Sequence, residues 1–192
     1  MPKYESMYEE RFSYIDDDNL RKHMWDTLEF IVHILAISSI FPEKARNYFY
    51  KTCILYTASI IESQIHFCIK KMGHKEIEKE KIWDYKNPKV IYKDSCNDTT
   101  IISCIRKRPK IPLNNSIDFK LLNEFSKKIW LYGNNMYWEI NKIRELRNQI
   151  HLMKLKHTHR IYPKEQLDQI FATTRELLKI IEERLTITTH SR

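Results

Sequence analysis

The chain has 192 residues, and 33 Lys and Arg against 25 Asp and Glu give a formal charge of +8 at neutral pH. Only two residues are glycine, where average usage would supply roughly a dozen, so glycine-rich phosphate loops and dinucleotide-binding turns are excluded. Gly73 and Gly133 stand 60 positions apart. The same shortage argues against sandwiches and barrels, whose many tight turns need residues that tolerate positive φ, and favours an all-α fold.

Asp16 to Asp18 precede an apolar-rich stretch from Leu20 to Ile40, which predicts a first helix with acids at its N-terminus. Phe41-Pro42 interrupts it, and Pro42 suits the first position of a second helix running to about Met72, with Gly73 as its left-handed cap. At 100° per residue, Ile54, Ala58, Ile61, Ile65 and Cys68 form one stripe, and Phe49, Cys53, Tyr56, Ile60 and Phe67 a neighbouring one. So broad an apolar arc marks a central bundle helix. The remaining arc holds Ser59, Glu62, His66 and Lys70, with Glu62 and His66 four apart at the edge of the core.

Periodicity fails from His74 to Asn115, where Pro88, Pro109 and Pro112 punctuate an irregular insert. Lys89 to Lys93 and Thr100 to Arg106 fit a short β-hairpin, a helical turn or disorder about equally well. The cluster Arg106-Lys107-Arg108-Pro109-Lys110 is the densest basic run. It reads as a solvated loop or as a contact to a nucleic-acid backbone.

A third helix is predicted from Ser116 to Tyr132, closed by Gly133, and a fourth, capped by Asn134-Asn135, from about Met136 to Met153. On the fourth, Ile140, Ile143, Leu146, Ile150 and Met153 face the core. A fifth follows Pro163, with Leu167, Ile170, Phe171, Thr174, Leu177, Leu178, Ile181 and Leu185 recurring at three and four. The expected architecture is one domain over residues 1 to 192, a bundle of about five antiparallel helices with an insert near 74–115. The longest apolar run, Phe30 to Phe41 with His33 inside it, is far short of the about 20 residues of a membrane span. Cys53, Cys68, Cys96 and Cys104 show no C-x-x-C spacing and no leader is evident, so a reduced, cytoplasmic protein without a disulfide framework is expected.

The fourth helix carries the sharpest chemical signal. Arg144, Arg147, Asn148 and His151 share one arc, because offsets of three, four and seven return to the same side. Arg147 is one turn from His151, and Arg144 about two turns, roughly 10 Å along the axis. An arginine fork can hold a phosphodiester and an imidazole can move protons near neutral pH. Together they are the parts of an RNA-cleaving site that needs no metal.

The run Ile143-Arg-Glu-Leu-Arg-Asn-Gln-Ile-His151-Leu resembles the signature helix of HEPN domains, the nucleotide-binding family of higher eukaryotes and prokaryotes, whose motif is arginine, four to six residues, then histidine. Arg144 and His151 have the six-residue spacing, but Glu145 follows Arg144 where that family often has asparagine. Arg147-Asn148 supplies the familiar pair at a spacing of three. Either arginine can therefore be the motif one. Tyr56 to Phe67 is similar to the family's core helix with an embedded acid, here Glu62. The resemblance covers about Asn47 to Met72 and Ser116 to Leu185.

It implies a homodimeric, metal-independent endoribonuclease without cofactor, of the kind found in toxin, abortive-infection and RNA-defence systems, with an antitoxin or other partner protein. His151 would be the general base or acid, Arg147 or Arg144 would stabilise the transition state, and Asn148 would orient substrate or His151. A catalytically silent HEPN-like module that binds nucleotides or a protein is the alternative, and a plain helical interaction protein is a third. Beyond the helix, Lys154, Lys156, His157, His159 and Arg160 read as a solvated loop or an RNA-contacting tract alongside Arg106, Lys107 and Arg108. A metal site at His157 and His159 is disfavoured, because no carboxylate or cysteine stands at ligand spacing. Trp25, Trp83, Trp130 and Trp138 are expected in the core or at an interface.

Overall fold

A computed structural model describes residues 12–78, 84–93, 100–107, 110–114, 117–150 and 161–190. Helices hold most of the described residues, so the mostly helical class expected from composition stands. The element order is α1 (Asp18–Ser38), α2 (Glu43–Lys71), β1 (Glu76–Glu78), β2 (Asp84–Lys93), β3 (Thr100–Lys107), β4 (Lys110–Pro112), α3 (Phe119–Lys128), α4 (Asn134–Ile150) and α5 (Lys164–His190). Two compact units result, one of Met1–Gly73 with Asp118–Arg192, the other of His74–Ile117.

Asp17, in extended conformation, accepts the Leu20 N–H at 3.1 Å and starts α1 two residues ahead of the expected Leu20; its carboxylate satisfies a donor that has no partner inside the helix. Pro42 ends the turn that follows. It is the residue before α2 rather than its first helical position, with φ −62° and ψ 153°, and its carbonyl takes the N–H groups of Ala45 and Arg46 at 2.9 and 3.1 Å. At the other end Gly73 adopts φ +87° and donates to the Lys70 carbonyl at 3.0 Å, the left-handed terminator its position predicts.

Helix α2 packs against every other helix of the first unit. Its predicted stripes are buried at Ile54, Ala58, Ile61, Ile65, Cys68, Cys53, Ile60 and Phe67. Tyr56 departs from them. It sits at the rim, 40% exposed, with its ring edge-on to Phe30 at 4.9 Å. From the opposing helices come Met24 and Ile31 of α1, Leu122 and Phe125 of α3, Ile140, Ile143 and Leu146 of α4, and Leu167, Ile170, Leu177 and Ile181 of α5. Each such side chain, removed from water, contributes about 1.5–3 kcal/mol. No helix among the described residues is long and apolar enough to cross a membrane.

The termini of α3 correct the sequence reading. Asp118 caps it, accepting the Lys120 N–H at 2.8 Å, and it stops at Lys128 rather than Tyr132. Trp130, at φ 57°, takes the left-handed position expected of Gly133. Its N–H donates to Lys127 and that of Leu131 to Ser126, at 3.1 and 2.9 Å, the paired bonds of a Schellman motif. Gly133 belongs to the next helix. Its carbonyl accepts the Tyr137 N–H at 3.1 Å, so α4 begins at Asn134, two residues before Met136. Trp130 and Trp138 are 78% and 55% exposed, contrary to a core placement.

The second unit contains the hairpin that the sequence left open. β2 and β3 pair antiparallel, with register shifts between Lys86 and Lys89 and between Val90 and Tyr92. A second, unexpected pair joins β1 to β4, Glu76 facing Pro112 and Glu78 facing Lys110. The Leu113 N–H extends it, donating to the Lys75 carbonyl at 2.8 Å.

Candidate functional site

Helices α2, α3 and α4 each contribute one group to the position that the sequence singles out. The apolar stripe of α4 turns Ile143 and Leu146 inward, which leaves Arg147 at the seam between α4 and α2. Glu62 lies on the corresponding edge of α2, beside Ile61 and Ile65. The Arg147 Nη1 donates to Glu62 Oε2 at 2.7 Å, with side chains 28% and 24% exposed. Above them the guanidinium carbon lies 6.0 Å from the Phe119 ring centroid, within the range of cation–π attraction.

This seam has unusual electrostatics for a carboxylate beside an arginine. Burial raises the Glu62 pKa above its ordinary value; the Arg147 charge and hydrogen bond pull it down, and the Asp118 carboxylate adds to the rise. Desolvation outweighs the ion pair because most of the Glu62 side chain is withdrawn from water. The pairing also fixes Arg147. One of its N–H groups is committed to Glu62, and the part of the guanidinium that remains exposed keeps donors for a second acceptor.

Arg144 is arranged differently, although it shares the same arc of α4. Its Nε and Nη2 both donate to Asn141 Oδ1, at 3.1 and 3.0 Å, and Nη2 lies 3.5 Å from Glu145 Oε1. The side chain thus folds back along its own helix, only 15% exposed. Asn148 is half-buried beside Arg147. His151, Lys154, Lys156, His157, His159, Arg160 and Arg108 lie outside the described residues, while Arg106 and Lys107 belong to β3. Of the five residues proposed for chemistry, Glu62 and Arg147 are in direct contact, and Arg144 is held one turn away by Asn141.

Two participants escaped the sequence reading. Asn141 could have been found, since it precedes Arg144 by one helical turn. Phe119 could not, because its contact with Arg147 spans two helices. Thiol chemistry has no footing in the bundle interior: burial pushes the Cys53 and Cys68 thiols up to about 11 and 12, which keeps both protonated at neutral pH. No family profile, curated protein or solved structure matches this chain.

Proposed function

We propose that this chain is a HEPN-type endoribonuclease in which Arg147, oriented by Glu62, holds the scissile phosphodiester and His151 moves the protons. The observation that carries the reading is the Arg147–Glu62 contact. It joins two residues 85 positions apart, both singled out by the family resemblance, in a partly exposed seam at the C-terminal end of α4. In the proposed reaction the ribose 2′-hydroxyl attacks phosphorus and the bond to the 5′-oxygen breaks. The 2′-proton passes to a base, the leaving oxygen receives a proton, and a 2′,3′-cyclic phosphate remains. Arg147 stabilises the extra negative charge on the phosphoryl oxygens, with Arg144 the second candidate, and Asn148 orients His151 or the substrate. A homodimer is part of the proposal. Support for it comes from the exposed apolar side chains Phe30, Ile37, Ile40 and Phe41, 39–79% accessible along the C-terminal part of α1 and the turn after it.

Purified protein should cleave RNA in EDTA and leave cyclic phosphate ends. His151→Ala should lower the rate by about 100-fold or more, the scale of a lost general acid or base, without changing the circular dichroism spectrum. Cleavage that survives both His151→Ala and Arg147→Ala would sink the assignment. The same ion pair also favours a second reading, because a guanidinium already neutralised by a carboxylate is a weaker phosphate ligand. A silent HEPN-like module that binds a nucleotide or partner protein would cut no RNA as wild type and would retain that binding in His151→Ala.

A further inference from the structure

The two-stranded ribbon of β2 and β3 presents an unusual surface. Its 18 residues hold five cations, Lys86, Lys89, Lys93, Arg106 and Lys107, against one acid, Asp84. That is +4 of the molecule's +8 in under a tenth of its length. The ribbon also exposes apolar side chains. Val90, Ile91, Tyr92, Ile102 and Ile105 are 53–67% accessible, and Lys89 and Lys93 are exposed beside them. Exposed β-branched and aromatic residues on an isolated hairpin work against its stability in water, and lysines along an edge strand discourage a second strand from adding to it.

Cross-strand partners share a face, and the register pairs Lys89 with Ser103 and Tyr92 with Ile101. Ser103 and Ile101 are two apart, so Lys89 and Tyr92 occupy the same face of the ribbon. Val90 with Ile102 and Lys93 with Thr100 occupy the other. The register shift between Val90 and Tyr92 leaves Ile91 as the additional residue of β2, the kind of bulge that twists an edge.

We infer that this ribbon is a binding arm for single-stranded RNA, with Lys89 on a phosphate and Tyr92, on the same face, stacked on a base. The combination of surfaces selects that ligand. A regular duplex offers phosphates to the lysines but keeps its base faces stacked inside, where Tyr92 and its apolar neighbours gain nothing. An unpaired strand offers both a charged backbone and free π-faces. An acidic protein would satisfy the lysines, but it would not discriminate between single and paired nucleic acid strands. The choice of RNA over DNA rests on the nuclease reading; the ribbon's attraction for a single strand does not.

The test uses the full chain and a fluorescent 2′-O-methyl oligo(U) probe, which cannot be cut through its 2′-position, so that binding and cleavage fail separately. Anisotropy should report saturable binding that weakens with salt. In the lysine variant Lys89→Gln affinity should fall and the slope of log affinity against log salt should shrink by about 0.7, the share of one lost phosphate contact. Tyr92→Ala should weaken binding about tenfold, the scale of one stacked base, with the slope unchanged. Equal affinity of the lysine variant and wild type would overturn the arm. Equal binding of duplex RNA, with Tyr92→Ala neutral, would overturn the single-strand assignment, and preference for a DNA probe of the same sequence would overturn the assignment to RNA. A wild-type dimer that binds no probe and is dissolved by the ribbon substitutions would assign the surface to a second copy instead.

Discussion

Glu62 titrates against its own burial, and that gives its pair with Arg147 a pH signature. A carboxyl whose native pKa is raised binds a proton in the folded chain at pH values where the unfolded chain has lost it. Its contribution to stability is therefore complete below the ordinary carboxylate value of 4.5 and is lost as pH rises through the native one. Glu62→Gln should remove this decline, flattening the melting temperature against pH above about 4.5, while the amide oxygen can still accept from Arg147. An unchanged pH profile would show that Glu62 titrates normally. Loss of the cation has the opposite character. Arg147→Ala leaves Glu62 partly buried without its counter-charge and should lower the melting temperature more than Arg144→Ala, whose hydrogen bonds and ion pair lie within one helix.

At the scale of elements, helix interiors were far more legible than their ends. The stripes of α2, α4 and α5 followed directly from three-and-four periodicity, because burial on one side of a helix writes itself into sequence. The stop of α3 did not. Glycine is the residue that takes a left-handed position without strain, so Gly133 was the natural candidate, yet Trp130 occupies it and Gly133 serves α4. A bulky residue there costs about 1–2 kcal/mol, and the hydrogen bond from Arg184 Nη2 to the Trp130 carbonyl at 3.1 Å helps to hold it. Trp130→Gly should therefore stabilise the protein by about 0.5–1 kcal/mol after the entropy of the freer unfolded chain is deducted, read as a rise of about 1–4 °C in thermal unfolding. A lowered melting temperature would mean that the exposed indole makes contributions which outweigh its backbone. The site was half legible for a related reason. Spacing on α4 revealed the arc of Arg144, Arg147 and Asn148, whereas the choice of Glu62 as partner of Arg147 and of Asn141 as partner of Arg144 depends on how α2 and α4 meet, which no one-dimensional pattern records.

At the scale of the whole molecule, the chain leaves the helical unit after Gly73 and re-enters it at Asp118. The helical unit has its own core, in which α2 touches all four other helices, and Lys75 and Leu113 are joined by a backbone hydrogen bond. Replacing Glu76–Pro112 by Gly-Gly should then leave a cooperative helical unfolding transition, measured by circular dichroism at 222 nm, while abolishing binding of the RNA probe. A non-cooperative melt would show that the bundle depends on the second unit.

The short β1–β4 pair also bears on how the chain finds its fold. Helices α2 and α3 are separated by the 47 residues from Met72 to Asp118, a tether whose closure is entropically costly. Six residues separate β2 from β3, so that hairpin can close first and locally. Once β1 has met β4, the path from Lys71 to Phe119 shortens to about ten residues, which lowers the remaining closure cost by about 1.4 kcal/mol. The three-residue clasp thus turns one distant encounter into a succession of near ones, a folding route that zips from the β2–β3 hairpin through β1–β4 to α2 and α3.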